Sequence, residues 1–196
     1  MKYPENIAEV SKLQPDFLGF IFWEKSPRFF DVEIPKLPDS IQKVGVFVDA
    51  SLEEIRSKKK QYNLNIIQLH GNETVDFCSN LKQDDILIIK VFSIDDTFDF
   101  TALEPFEDVC DYFLFDTKGK MPGGNGTTFN WELLKKYNSK KSLFLSGGIG
   151  IEEIIKIKHL NLPIYAIDLN SKFEIEPGLK NIEQLQEILP LKNKKK

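Results

Sequence analysis

Seven short runs of apolar, β-branched and aromatic residues recur along the chain, at positions 17–23, 44–48, 66–69, 86–92, 112–115, 143–145 and 164–169. Strands this continuously apolar are buried on both faces. Most are separated by segments that read as helices, so the pattern dictates βα units and a parallel sheet covered by helices. Ser51 stands before Leu52-Glu53-Glu54-Ile55 as an N-cap followed by early acids. Asn72 is placed to cap 73–81, and Asn130 to cap 131–137. Residues 151–160 and 179–189 carry apolar side chains at helical spacing. The stretch after Trp23 and residues 95–108 are less regular. With no linker, low-complexity stretch or shift of composition, residues 1–196 are expected to form one domain.

Two architectures satisfy such an alternation, the open doubly wound sheet and the closed (βα)8 barrel. The first recognisable element, from Pro4 to Val10, is a helix with Pro in its first turn, and the last is also a helix. A run of βα units begins with a strand, so this chain reads as though an eighth strand had preceded it. The expected fold is therefore α/β, a (βα)8 TIM barrel whose first β-strand is absent from this chain.

Composition excludes several roles. The 196 residues include 26 Lys+Arg and 30 Asp+Glu, a net charge of −4 that gives no reason to expect nucleic acid or a membrane surface as partner. The lysine-rich tail from 192 to 196 reads as a solvated end. A chain of this length buries roughly 70% of its unfolded surface and needs no staple. Two cysteines, at 78 and 110, and two histidines, at 70 and 159, make neither a zinc spacing nor a disulfide framework, which fits a reducing cytoplasm. No apolar run approaches the ~18 residues of a membrane span. The polar start, Met1-Lys2-Tyr3-Pro4, is not a signal peptide.

Parallel βα folds build their sites at the carboxyl ends of the strands. Those ends carry Arg28, Asp49, His70, Ser93, Asp116, Ser146-Gly147-Gly148 and Asp168-Leu169-Asn170-Ser171. Asp116 ends the run Tyr112-Phe113-Leu114-Phe115; so much apolar surface suits a carboxyl kept protonated as a general acid, the alternative being a cap for the following loop. Ser146 to Gly150 is either a tight strand-to-helix turn or, with Asn170 and Ser171, a phosphate site of the kind barrels build after their last strands. The glycines 119, 123, 124 and 126 lie in a loop that lacks the Gly-Lys-Ser/Thr ending of a P-loop, leaving a flexible connection or a cover over the site. Arg28 offers a planar fork for a ligand carboxylate or a surface salt bridge. His70 is a structural or a site histidine. Cys78, in a helical segment, and Cys110, at the amino end of its strand, look like neither nucleophile nor base.

The stretches Asp16 to Phe22 with Lys25-Ser26-Pro27-Arg28, Val44-Gly45-Val46-Phe47-Val48, Gln68-Leu69-His70-Gly71, Phe115-Asp116-Thr117-Lys118, Gly123 to Trp131, Leu145-Ser146-Gly147-Gly148, and Asp168 to Ser171 with Pro177-Gly178 follow in this order. Together they resemble the phosphoribosylanthranilate isomerase family of tryptophan biosynthesis over essentially the whole chain. The resemblance implies a cofactor-free barrel without metal that acts on the small molecule N-(5-phosphoribosyl)anthranilate. It implies an Amadori rearrangement to 1-(2-carboxyphenylamino)-1-deoxyribulose 5-phosphate. It assigns Asp116 as general acid, Arg28, His70, Gly124 and Gly126 to substrate binding, and Gly147, Gly148, Asp168, Asn170 and Ser171 to the phosphate.

Three departures from the family pattern bear on this. The family's first strand ends in a Lys-Val-Cys-Gly-Met-like motif whose Cys is the general base, and Met1 falls where the last residue of that motif would be. This chain by itself is therefore expected to be a poor isomerase, with strand edges at 17–23 and 164–169 left open. Thr127 and Asn130 stand where many members have Lys and Asp, and Lys172 where Gly is common. Two rival functions remain at this level. One is another phosphate-binding barrel enzyme using Lys90; the other is a non-catalytic ligand-binding protein.

Overall fold

Each of the seven apolar runs is a strand. The computed structural model describes residues 1–117 and 131–189. The strands are β1 (Phe17–Ile21), β2 (Gln42–Phe47), β3 (Ile66–Leu69), β4 (Leu87–Ile94), β5 (Tyr112–Thr117), β6 (Leu143–Leu145) and β7 (Ile164–Ile167). They are hydrogen-bonded in sequence order in one sheet. Among the described residues five α-helices accompany them: α1 (Pro4–Lys12), α2 (Leu52–Tyr62), α3 (Val75–Lys82), α4 (Ile151–Ile157) and α5 (Ile182–Ile188). The less regular stretch 95–108 holds a 3-10 helix at Phe100–Phe106 with Pro105 inside it, and another forms at Trp131–Lys136. The chain divides into two compact units, Met1–Ile67 with Phe173–Lys196, and Gln68–Lys172.

In the first unit β1 pairs in parallel with β2, from Phe17 opposite Gln42 to Ile21 opposite Val46. Phe20, Phe22, Phe30, Phe47 and Tyr62 form its core, with Phe22 stacked on Phe47 at 5.2 Å between centroids. Gly45 is required there, since a Cβ would stand 2.5 Å from Leu64 and 2.9 Å from the Phe47 ring. Ser51 caps α2 as expected, accepting from the Glu54 amide at 3.1 Å.

A hairpin in the same unit corrects the sequence pattern. Residues 179–189 are not one helix: Leu179–Lys180 is a strand, β9, antiparallel to β8 (Glu174–Glu176), and Asn181 then caps α5. The alternation in β8 is inverted. Ile175 is 69% exposed, whereas the Glu174 side chain is 3% exposed. At the turn, Gly178 has φ +88°, and a Cβ on it would lie 2.6 Å from that of Lys2. Asn6, buried on α1, clasps β9 through both its amide atoms, donating to the Lys180 carbonyl at 2.9 Å and accepting from its amide at 2.8 Å.

In the second unit β4, β5, β6 and β7 pair in parallel, with a register shift where β6 meets β7. Phe92 packs against Phe106 and Phe113, and Phe115 against Tyr137 and Phe100, so one face of β4 and β5 is an aromatic layer. The cap of α3 also differs from expectation. Thr74, not Asn72, accepts from the Phe77 amide, and the helix begins at Val75. The expected helix start fails at Glu73 because its carboxylate turns back to accept from the Gly71 amide and from Lys90. The expected cap Asn130 lies outside the described residues. Helix α4 ends at Ile157, three residues before the expected limit at 160.

Candidate active site

Asp116 is the fifth residue of β5, directly beyond the apolar stretch. Strand alternation puts it on the face of Tyr112 and Leu114, while Phe113 and Phe115 point into the aromatic layer. It is 2% exposed, and in register with Ser93 on β4. His70, the residue after β3, brings its Nε2 to 3.4 Å from Asp116 Oδ2. The Asp116 side chain is buried and that of His70 nearly so. Among the described residues, His70 Nε2 is the one buried side-chain nitrogen or oxygen that makes no hydrogen bond.

Lys90 is on the opposite face. It is in register with Phe113, so it shares the face of the aromatic layer. Its side chain is 4% exposed, and the ammonium donates to the Gly71 carbonyl at 2.7 Å and to Glu73 at 2.8 Å. A lysine so placed, with its charge matched by a carboxylate, cannot reach a substrate on the Asp116 face. This removes the observation that favoured a lysine-dependent barrel.

The carboxyl ends of β6 and β7 share one pocket, lined by Ser146, Gly147, Gly148, Asp168, Asn170, Ser171 and Lys172 among others. Gly147 and Gly148 have φ of +91° and +59°, the left-handed region that the turn needs and that only glycine enters freely. Ser146 donates to Asp168 Oδ2 at 3.3 Å, and the Asp168 amide donates to the Leu145 carbonyl at 2.8 Å. A carboxylate repels a phosphate, so Asp168 shapes the wall, and the groups suited to an anion are the glycine turn, Asn170, Ser171 and Lys172. Lys172 was not singled out from sequence as a ligand. It stands in a short 3-10 turn, Ser171–Phe173, with none of the positive φ that a glycine there would permit. Its cationic side chain beside Ser171 is the signal that would have found it.

In the first unit, Arg28 follows β1 and is held by Glu174. Its Nε donates to both carboxylate oxygens at 3.1 and 2.9 Å, and Nη2 to Oε2 at 2.6 Å. Lys180 and the Gly178 amide also donate to Oε1, each at 3.2 Å. Burial pushes the Glu174 carboxyl up, but the hydrogen bond from Arg28 and the charges of Lys180 and Arg28 outweigh it. The group therefore lies below the usual range. Glu174 was missed from sequence; the sign it left is a lone carboxylate inside Phe173-Glu174-Ile175.

Cys78 on α3 and Cys110 before β5 are both buried. The hydrogen bond to Cys78, together with burial, pushes the Cys110 thiol far up. Neither is placed as a base. Gly124 and Gly126, with Thr127, lie outside the described residues. Among the described residues no group of three or more His, Cys, Asp or Glu is gathered to hold a metal ion.

A family model described as N-(5'phosphoribosyl)anthranilate (PRA) isomerase matches residues 1–190. A Parabacteroides distasonis protein named N-(5'-phosphoribosyl)anthranilate isomerase is 42% identical over 197 residues, covering 96% of this chain and 89% of the relative. Among solved structures, the phosphoribosyl anthranilate isomerase of Thermotoga maritima is similar at a TM-score of 0.83 and 27% identity, with 98% of this chain and 94% of that one covered. A phosphoribosyl anthranilate isomerase in complex with reduced 1-(o-carboxyphenylamino)-1-deoxyribulose 5-phosphate has a TM-score of 0.80 at 26% identity, covering 96% and 93%.

Proposed function

The chain belongs to the N-(5'-phosphoribosyl)anthranilate isomerase family, with the α/β TIM-barrel fold of that family, and from that premise we propose how its residues carry the isomerisation. Asp116 is the general acid. It protonates the furanose ring oxygen; the bond from that oxygen to C1′ breaks, and the nitrogen lone pair forms the C1′=N Schiff base. A base then removes the C2′ proton, giving an enolamine that tautomerises to the ketone. Proton transfers alone suffice, so no cofactor enters. The observation that carries this reading is the buried Asp116 carboxyl on the face of β5 away from the aromatic layer. Its neighbour Phe115 is in register with Leu145, so Asp116 and Ser146 stand level on adjacent strands. Strands lie about 4.8 Å apart, which suits one sugar phosphate reaching from the acid to the pocket after β6 and β7.

The glycine turn, Asn170, Ser171 and Lys172 hold the phosphate, and Arg28 takes the anthranilate carboxylate. Two of the three guanidinium nitrogens of Arg28 are committed to Glu174, which fixes the plane of the fork and leaves Nη1 for a ligand. No helix among the described residues is long and apolar enough to cross a membrane, and a cytoplasmic small-molecule enzyme fits.

One experiment tests this. Gly147→Ala forces a side chain onto φ +91° and is expected to raise KM about tenfold while kcat changes little, since the phosphate binds alike in ground and transition states. Unchanged steady-state constants would separate the turn from substrate binding.

A further inference from the structure

We propose that His70 is a positioning residue that aims the Asp116 carboxyl and takes up its charge when the proton leaves, an assignment that rests on Asp116 being the general acid. The first observation is the orphaned Nε2. A buried imidazole nitrogen without a hydrogen bond is costly, and this one lies 3.4 Å from Asp116 Oδ2. The second is what holds the ring there. His70 follows the fully buried strand β3, and the next residue, Gly71, is gripped on both sides of its backbone. The Glu73 carboxylate accepts from its amide at 3.1 Å, while Lys90 donates to its carbonyl at 2.7 Å and to Glu73 at 2.8 Å. This buried ion pair has no place in the chemistry of the Asp116 face. Its effect is to clamp the turn that carries His70.

The 3.4 Å separation then acquires a meaning. It is longer than an ordinary hydrogen bond, and catalytic contacts of this kind tighten as charge develops. When the Asp116 O–H bond breaks, the proton goes to the ring oxygen and the electron pair stays on the carboxylate. The Nε2–H of His70 closes on that carboxylate without giving up its own proton. Such an interaction is stronger after proton transfer than before it, so it lowers the barrier rather than tightening substrate binding.

The chain has only two histidines, and His159 is exposed just beyond α4. Proton–nitrogen NMR of the imidazoles can therefore use His159 as an internal reference. Asp116→Asn is expected to shift the His70 ring signals and leave those of His159 in place; an unmoved His70 signal would overturn the pairing. Single-turnover kinetics with protein in excess give the saturating rate and the half-saturation concentration. His70→Ala is expected to lower the rate about 10- to 100-fold with half-saturation unchanged. His70→Gln, whose amide nitrogen overlays Nε2, is expected to restore most of that loss. Raised half-saturation at an unchanged rate would make His70 a substrate ligand and sink the positioning role, with Asp116 untouched. So would a His70→Gln protein as slow as His70→Ala when both keep the His159 signal and thermal midpoint. A fast Asp116→Asn protein would instead overturn the acid itself, and the role of His70 with it.

Discussion

Asp116→Asn is expected to slow isomerisation by about 10²–10⁴-fold, or ~3–5 kcal/mol of transition-state stabilisation, with KM nearly unchanged. Asn keeps the size and planarity of the side chain in its 2%-exposed position, so β5 should fold as before. What it lacks is a proton of usable acidity. A group that gives its proton only as the ring opens contributes to the transition state and little to the bound substrate, which places the loss in kcat. Steady-state kinetics with a circular-dichroism melt of the variant would check this. A variant that melts normally and keeps its rate would place the acid elsewhere on the face.

The second large effect is on stability. Glu174→Ala is expected to cost about 3–5 kcal/mol, because it takes the buried carboxylate away from the Arg28 guanidinium it pairs and from the Lys180 ammonium beside it. Urea unfolding of the two proteins would measure it. Protonating Glu174 should act in the same direction. Its pKa is lower in the folded than in the unfolded chain, so the stabilisation is fully present above the ordinary carboxyl pKa and is lost as pH falls through the folded value. The wild-type midpoint should therefore drop in acid below the carboxylate range, and the Glu174→Ala midpoint should drop less. Parallel acid profiles would remove Glu174 as the source.

The inner strands were legible because burial on both faces leaves runs that no exposed segment imitates, such as the four buried residues of β3; β1 and β7 keep the apolar run although they are only partly buried. Helix starts were legible only where the cap was free to act. Ser51 had no competing partner, whereas Glu73 was drawn away by Lys90, a residue 17 positions distant that no local pattern reveals. The β8–β9 hairpin was illegible for a related reason. A strand that buries Glu174 and exposes Ile175 reads backwards unless Arg28 and Lys180 are known to meet it. At the site, Asp116 and the glycine turn stood out from their place after strands, but the contact of His70 with Asp116 joins the ends of β3 and β5, and only the fold brings them together.

The clasp of Asn6 on Lys180 spans 174 positions of sequence and bears on how the chain can come off the ribosome. Residues 68–172 are contiguous, so their unit can organise by closing short loops as they emerge. The other unit cannot. Its β1–β2 pairing is local, but Arg28, Asn6 and Lys2 await partners delivered only with the final segment. Until then an arginine destined for burial stays in water and α1 has no strand to grip. Closing so large a loop is slow and entropically expensive. The late, rate-limiting event in folding should thus be the docking of 173–189 onto the first thirty or so residues, and a nascent chain stalled before Glu174 should be the species that proteases find.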